Sequence, residues 1–430
     1  MNHPPEQLST SVSPVTRRRF LAFSGVAGAG ALAVGASQIR WGDLVQAAAT
    51  SPLVPEAGVL VVITLYGGND GLNTVVPTGD PVYQQARAEL AYRPEDVLDL
   101  GQGLGFNPGL TSLHGLWRDQ GLAIVRGVGY PKADRSHFRS MAIWQTAAPD
   151  TPARSGWLGR WLDATTTDPL QAVSLDSVTP PLLAGEKLAA ASFPLSGLAL
   201  PKGGLGTAIE RLARPDPGDD HWLTQAAKQY ADLGAASKTL GPARQQAAGQ
   251  DDDQPEDRDD ESAKGGSAGG QSQLAAQLDL VATMIDMGVP TRVYSVSLGG
   301  FDTHSDERGT QERLLGELDA AVAKFRARLQ GSERGRQVVT MIYSEFGRRV
   351  VANASDGTDH GTAGPVFLFG DGIHGGFLGE EPSLTDLDDG DLRAGVDFRS
   401  IYASVLDRVL GAEPEPLLAG YGTRLDGLFD

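Results

Sequence analysis

The 430-residue chain contains no cysteine. That excludes a disulfide framework, a Cys-type zinc site, an iron–sulfur cluster and a cysteine nucleophile. Positive charge is also scarce: 36 Lys plus Arg stand against 54 Asp plus Glu, a net charge of −18. A general nucleic-acid binder needs a basic face to neutralise phosphates, so no nucleic-acid partner is expected. Past the first fifty residues no apolar run approaches the roughly 18 residues of a membrane span. Two motif classes are missing as well. There is no G-x-S-x-G turn to carry a Ser-His-Asp triad, and Ser344-Glu345-Phe346-Gly347 does not supply one. Gly67-Gly68-Asn69-Asp70-Gly71 is neither a dinucleotide nor a P-loop fingerprint. No internal repeat is evident.

What is present points to a globular α/β protein. Hydrophobic residues make up 40% of the chain, enough for a sizeable core, and 55 glycines imply many tight turns and close backbone approaches. Large α/β enzymes often hold a chain of this length in one domain.

The N-terminus reads as an address. Thr16-Arg17-Arg18-Arg19-Phe20-Leu21 resembles the twin-arginine export signal, followed by an Ala/Gly-rich apolar run from Leu21 to Ala36 and a small-residue cleavage site at Ala47-Ala48-Ala49. The expectation is a signal peptide over 1–49, export through the twin-arginine translocase to the periplasm or beyond, and no stable membrane span after cleavage. Residues 50–430 keep 32 basic and 52 acidic residues, a net charge of −20.

Short continuous apolar runs suggest strands covered on both faces: 59–65, 122–125, 292–298, 338–343 and 366–369, all read as parallel. Amphipathic helices are predicted over 274–287, 307–330 and 398–410, and a further helix over 137–146. Strands alternating with helices imply a doubly wound, mostly parallel sheet flanked by helices, in a single domain over 50–430. The acidic and Gly/Ser-rich stretch 244–273 has no aromatic residue and reads as a disordered loop. The stretch 173–214 has no readable role.

Polar clusters follow the strands. They are Asp70 after the first, Arg135-Ser136-His137 after the second, Asp302-Thr303-His304 after the third and Glu345 with Arg348 after the fourth. Asp359-His360 precedes the fifth and His374 follows it. Ligands of open α/β sheets bind outside the carboxyl ends of the strands. Convergent Asp, Glu and His side chains there form a hard-oxygen and imidazole set suited to a divalent metal: Zn, Mn, Mg, Ca or Fe. Ser136, at a helix start, either caps the helix or serves as a nucleophile beside the metal. His137 or Arg135 would stabilise developing charge, and Arg348 would contact an anionic group.

The twin-arginine leader, Leu65–Pro77 (L-Y-G-G-N-D-G-L-N-T-V-V-P), Arg135–Phe138 (R-S-H-F), Gly299–His304 (G-G-F-D-T-H), Ser344–Arg348 (S-E-F-G-R) and Thr358–Gly361 (T-D-H-G) together resemble the exported bacterial family called domain of unknown function 1501. That family in turn resembles, distantly, the alkaline phosphatase and sulfatase superfamily. The resemblance implies an alkaline-phosphatase-like fold and one metal on Asp70, Ser136, Asp359 and His360. It implies a second on Asp302 and His304, joined by His374. It also implies hydrolysis of an anionic small-molecule or polymer ester of phosphate or sulfate. The spacing departs from the superfamily's: one residue separates Asp302 from His304 where three are usual. The rival expectation is a non-catalytic exported binding or surface-assembly protein that keeps the fold.

Overall fold

The computed structural model describes residues 41–176, 179–193 and 273–429. The twin-arginine motif and the acidic stretch 244–273 therefore lie outside the described residues, apart from Gln273 itself.

Nine strands form the central sheet: β1 (Val59–Leu65), β2 (Leu122–Gly129), β3 (Ala172–Ser174), β4 (Ala191–Ser192), β5 (Val293–Leu298), β6 (Val338–Ser344), β7 (Gly364–Gly370), β8 (Gly376–Leu378) and β9 (Val396–Asp397). Their order is β8-β2-β7-β6-β1-β5-β3-β4, with β9 also on β2. The helices are α1 (Trp41–Thr50), α2 (Pro81–Arg87), α3 (Thr111–Arg118), α4 (His137–Thr146), α5 (Trp157–Thr165), α6 (Gln273–Met287), α7 (Glu307–Gln330) and α8 (Phe398–Arg408).

Every residue of β1 is buried, and its side chains alternate between two layers. Val59, Val61, Ile63 and Leu65 pack with Leu278, Ile285, Leu318 and Phe325 of α6 and α7. Leu60 and Val62 pack with Trp144, Trp161 and Tyr402 of α4, α5 and α8. A strand apolar on both faces is what a sheet between two helical layers requires. Fully burying each such side chain contributes about 1.5–3 kcal/mol.

The sheet is mostly parallel, as the runs implied, with one correction. β7 was expected to be parallel, but it runs antiparallel to both β6 and β2. A parallel return needs a crossover of about a dozen residues or more, usually helical. Between β6 and β7 the chain spends its length on an antiparallel hairpin, Arg348–Ala352 with Thr358–His360, and re-enters the sheet from the same edge. The inversion sorts the polar clusters. Residues before β7 join the carboxyl ends of the parallel strands, whereas residues after it lie at the opposite edge.

α1 covers the expected cleavage residues Ala47–Ala49, and its Leu44 is buried in the core layer beside α6. Among the described residues no helix is long and apolar enough to cross a membrane.

Candidate metal centre

Four turns leave the carboxyl edge of the sheet and meet there. β1 ends in Tyr66-Gly67-Gly68. Gly67 has φ +117°, and a Cβ on it would lie 2.4 Å from the backbone nitrogen of Asp302. Gly68 has φ +71°, and a Cβ there would lie 2.2 Å from the Phe346 ring. Only glycine serves at either position. The two turns after β1 and β5 are thus pressed together, and Asp302 is delivered to the junction.

Asp302 Oδ1 is the centre of the arrangement. It lies 2.9 Å from Arg348 Nη2, 3.0 Å from His304 Nε2, 3.1 Å from His360 Nε2 and 3.4 Å from His137 Nε2. One ligand atom from each of His137, Asp302 and His360 lies within 4.8 Å of the other two. His304 Nε2 is 2.9 Å from His360 Nε2. Although burial works to raise it, the Asp302 carboxyl is held down at about 2, chiefly by the Arg348 hydrogen bond and then by His360.

The two central imidazoles are held from behind. His137 Nδ1 is 2.9 Å from Glu345 Oε1, and His360 Nδ1 is 2.9 Å from the carbonyl of Arg135. A carboxylate and a carbonyl only accept, so each Nδ1 carries a proton, and each Nε2 is the ring nitrogen that faces Asp302. The hydrogen bond to Glu345 raises the pKa of His137, whereas burial lowers that of His360. Glu345 is itself buried and accepts from Gly67 N and from Ser344 Oγ. Phe346 packs its ring 4.8 Å from His137 and 4.9 Å from His360, centroid to centroid, fixing both ring planes.

The remaining expected residues fall elsewhere. Asp70 is buried, caps the 3-10 turn Gly71–Asn73 through Leu72 N, and is paired with Arg87 of α2. Glu307, first residue of α7, completes that cluster 3.9 Å from Arg87. Its Oε1 is buried without a hydrogen-bond partner. Burial, and then the neighbouring Asp70, push the Glu307 carboxyl up to about 9, while Arg87 outweighs the cost of burial and keeps Asp70 low. One guanidinium and one proton therefore neutralise two carboxylates. Asp359 is largely exposed and stands behind His304, 3.6 Å from its Nδ1. His374 follows β7 and so lies at the far edge. The 7-residue strand between the two edges spans roughly 20 Å.

Arg348 is fully buried and spent on the backbone: it donates to the carbonyls of Gly67, Gly68, Phe301 and Thr358 as well as to Asp302. Arg135 directs its guanidinium away, to Asp391 at 2.7 Å and Asp389 at 3.1 Å. Ser136 is the N-cap residue of α4, is exposed, and makes no side-chain capping bond. Its neighbours are both anchored at the cluster, Arg135 through its carbonyl and His137 through its ring.

Sequence reasoning did not reach Arg87, Glu307 or Asp391. A lone Arg on a seven-residue helix and a Glu opening an amphipathic helix carry no local signal. His137, expected to stabilise developing charge, has its Nε2 3.4 Å from Asp302 Oδ1, and its ring lies against His360.

Residues 115–430 match the family model described as protein of unknown function (DUF1501), and the chain belongs to that family. No curated protein matches it. Among solved structures the chain is similar to a protein in the alkaline phosphatase superfamily from Vibrio parahaemolyticus, at 10% identity and a TM-score of 0.40, covering 88% of this chain and 76% of that one. It is also similar to the C-terminal periplasmic domain of EcEptC from Escherichia coli in complex with Zn, at 9% identity, a TM-score of 0.35 and 74% of each chain. The phosphonate monoester hydrolase of Agrobacterium radiobacter matches at 12% identity and a TM-score of 0.31, over 86% of this chain and 79% of that one. At such scores these likenesses say nothing about the chemistry of this chain.

Proposed function

We propose that this family member is an exported, metal-dependent hydrolase of phosphate or sulfate esters. The observation that carries the reading is the convergence of His137 Nε2 and His360 Nε2 on Asp302 Oδ1, with both Nδ1 atoms already held. His137 Nε2 is buried and lacks a hydrogen-bond partner, as a nitrogen set aside for a cation would be. Two imidazoles and a carboxylate suit Zn, Mn or Fe, and His304 stands within reach as a fourth ligand. A divalent cation held there supplies Lewis-acid polarisation of the ester and lowers the pKa of an adjacent hydroxyl or water.

The chain's own groups do the rest. In this reading Ser136 Oγ, free of a capping bond, would attack the phosphorus or sulfur. The ester P–O or S–O bond would break and the alcohol would leave with the serine's proton, and water would then cleave the phospho- or sulfo-serine. The first turn of α4 offers backbone N–H groups and the positive end of the helix to the anionic ester. Glu345 and the Arg135 carbonyl hold the imidazoles so that neither turns away. Arg348 and Arg135 are engaged elsewhere, so the ester's charge is met by the helix terminus and the bound cation. Arg17-Arg18 would direct the folded chain through the twin-arginine translocase.

The full-length protein is loaded with Zn or Mn and offered phosphomonoesters, phosphodiesters and sulfate esters. Ser136→Ala abolishes turnover with metal content unchanged, and His360→Ala abolishes both. A well-folded wild type that takes up neither metal, or a loaded one that hydrolyses none of the three classes, overturns the reading.

One observation favours the rival, a binding or surface-assembly protein. The carboxylate of Asp70 is consumed by Arg87, so the superfamily-like ligand set is incomplete. In that case metal binds and stabilises the fold, yet no ester is turned over.

A further inference from the structure

We infer that Asp391 is a positioning residue for the candidate metal centre: its carboxylate ties the loop that supplies the carbonyl behind His360 to the hairpin that carries His360. The inference rests on the metal reading above and concerns how His360 is aimed.

Asp391 is remote in sequence from every expected ligand and lies on a two-residue strand, Asp391–Leu392, paired with Leu387–Asp388. Its side chain is 2% exposed. One oxygen lies 2.7 Å from Arg135 Nε and the other 3.4 Å from Arg349 Nε. Arg135 is the residue whose carbonyl accepts from His360 Nδ1. Arg349 sits on the hairpin strand Arg348–Ala352, whose first residue pairs with His360 across the hairpin. A single buried carboxylate therefore links Arg135, whose carbonyl accepts from His360 Nδ1, to Arg349 on the hairpin strand that pairs with His360. The next residue adds a second tie, since the Leu392 carbonyl accepts from Thr362 Oγ1, two residues past His360.

The loop needs such a tie. Residues Gly129 to Arg135 line an open cleft of about 830 Å³ together with Asp391 and Leu392. Tyr130 is buried in the core and its hydroxyl accepts from Asp134 N, which anchors the start of the loop, and the bond to Asp391 holds its far end at Arg135. Asp389 provides an internal control. It also pairs with Arg135, but its side chain is 84% exposed, and exposed ion pairs contribute little. A metal-ligating histidine whose outer partner is lost typically binds its metal about 10–100-fold more weakly.

The test compares full-length wild type with Asp391→Leu, Asp391→Asn and Asp389→Asn. Long-range proton–nitrogen NMR of the metal-free proteins reads the His360 tautomer, and titration with Zn reads affinity. Wild type and Asp389→Asn keep the proton on Nδ1. Asp391→Leu populates both tautomers and binds Zn about 10–100-fold more weakly. Asp391→Asn, which retains an acceptor oxygen, recovers part of both losses. If Asp391→Leu does not fold, Arg135→Gln removes the other end of the same link and is read in the same two ways. A folded Asp391→Leu or Arg135→Gln with wild-type tautomer and affinity overturns the inference. A wild type that binds no Zn overturns the metal reading instead, while the NMR measurement still decides whether Asp391 orients His360.

Discussion

Arg348 Nη2 stands 2.9 Å from Asp302 Oδ1, and the guanidinium also donates to four main-chain carbonyls. Those carbonyls belong to the turns after β1 and β5 and to the hairpin that bears His360. One buried side chain thus pins three segments together and presents the carboxylate around which three imidazoles gather. Arg348→Met leaves those acceptors unsatisfied and Asp302 without its cation. The expected cost is about 3–5 kcal/mol of stability, read from denaturant midpoints, with loss of metal uptake. Arg348→Lys, a point charge without the planar fork, recovers only a minor part.

Glu345 fixes His137 through a 2.9 Å contact to Nδ1. Glu345→Gln keeps the shape but offers an amide where the carboxylate accepted from His137 Nδ1, Gly67 N and Ser344 Oγ. Metal affinity should fall about 10–100-fold with the fold retained, as measured by calorimetric titration. Unchanged affinity would show that the tautomer of His137 is set by something else.

The buried trio Asp70, Arg87 and Glu307 behaves as a neutral unit only while Glu307 keeps its proton. Arg87→Met strands the charge of Asp70 in the interior and should cost about 3–5 kcal/mol. Glu307→Gln mimics the protonated acid without having to hold a proton against neutral solvent, so it should be at least as stable as wild type at neutral pH. A large loss in Glu307→Gln would mean that the carboxylate, not the acid, is the native form.

The same trio predicts a pH profile. The Glu307 carboxyl titrates at about 9 when folded, against an ordinary value of 4.5. Between those values the folded chain holds a proton that the unfolded chain has released, so the contribution is fully present below 4.5 and is lost as pH rises through about 9. The slope is at most about 1.4 kcal/mol per pH unit. Glu307→Gln flattens this alkaline loss, and urea midpoints measured from pH 5 to 10 reveal whether it does.

Gly67→Ala sets a methyl group against the Asp302 backbone at a φ that alanine avoids. It should cost roughly 1–3 kcal/mol and loosen metal binding, because the turn after β1 is what Asp302 rests on. Circular dichroism melts paired with Zn titration separate the two effects.

Much of the layout was legible in the residue order. Runs of V-L-V-V-I-T-L type announced strands buried on both faces, and β1, α4 and α7 lie where the pattern put them. Asp302, His304 and His360 were legible too, because each follows or precedes such a run. The direction of β7 was not. A short apolar run has the same composition whether it enters the sheet from one edge or the other, and that direction alone separates His360 from His374.

Burial and pairing were likewise beyond the sequence. Asp70, Arg348 and Arg135 carry the charges a site would use, but Asp70 is claimed by Arg87, Arg348 by carbonyls and Arg135 by Asp391. The chain by itself determined a layered α/β architecture and the set of chemistry-bearing residues at its strand ends, because local periodicity and short motifs are properties of neighbours in sequence. Which of those residues face a common space was decided by the tertiary structure, since a charge's partner is whatever distant segment the packed core brings within about 3 Å of it.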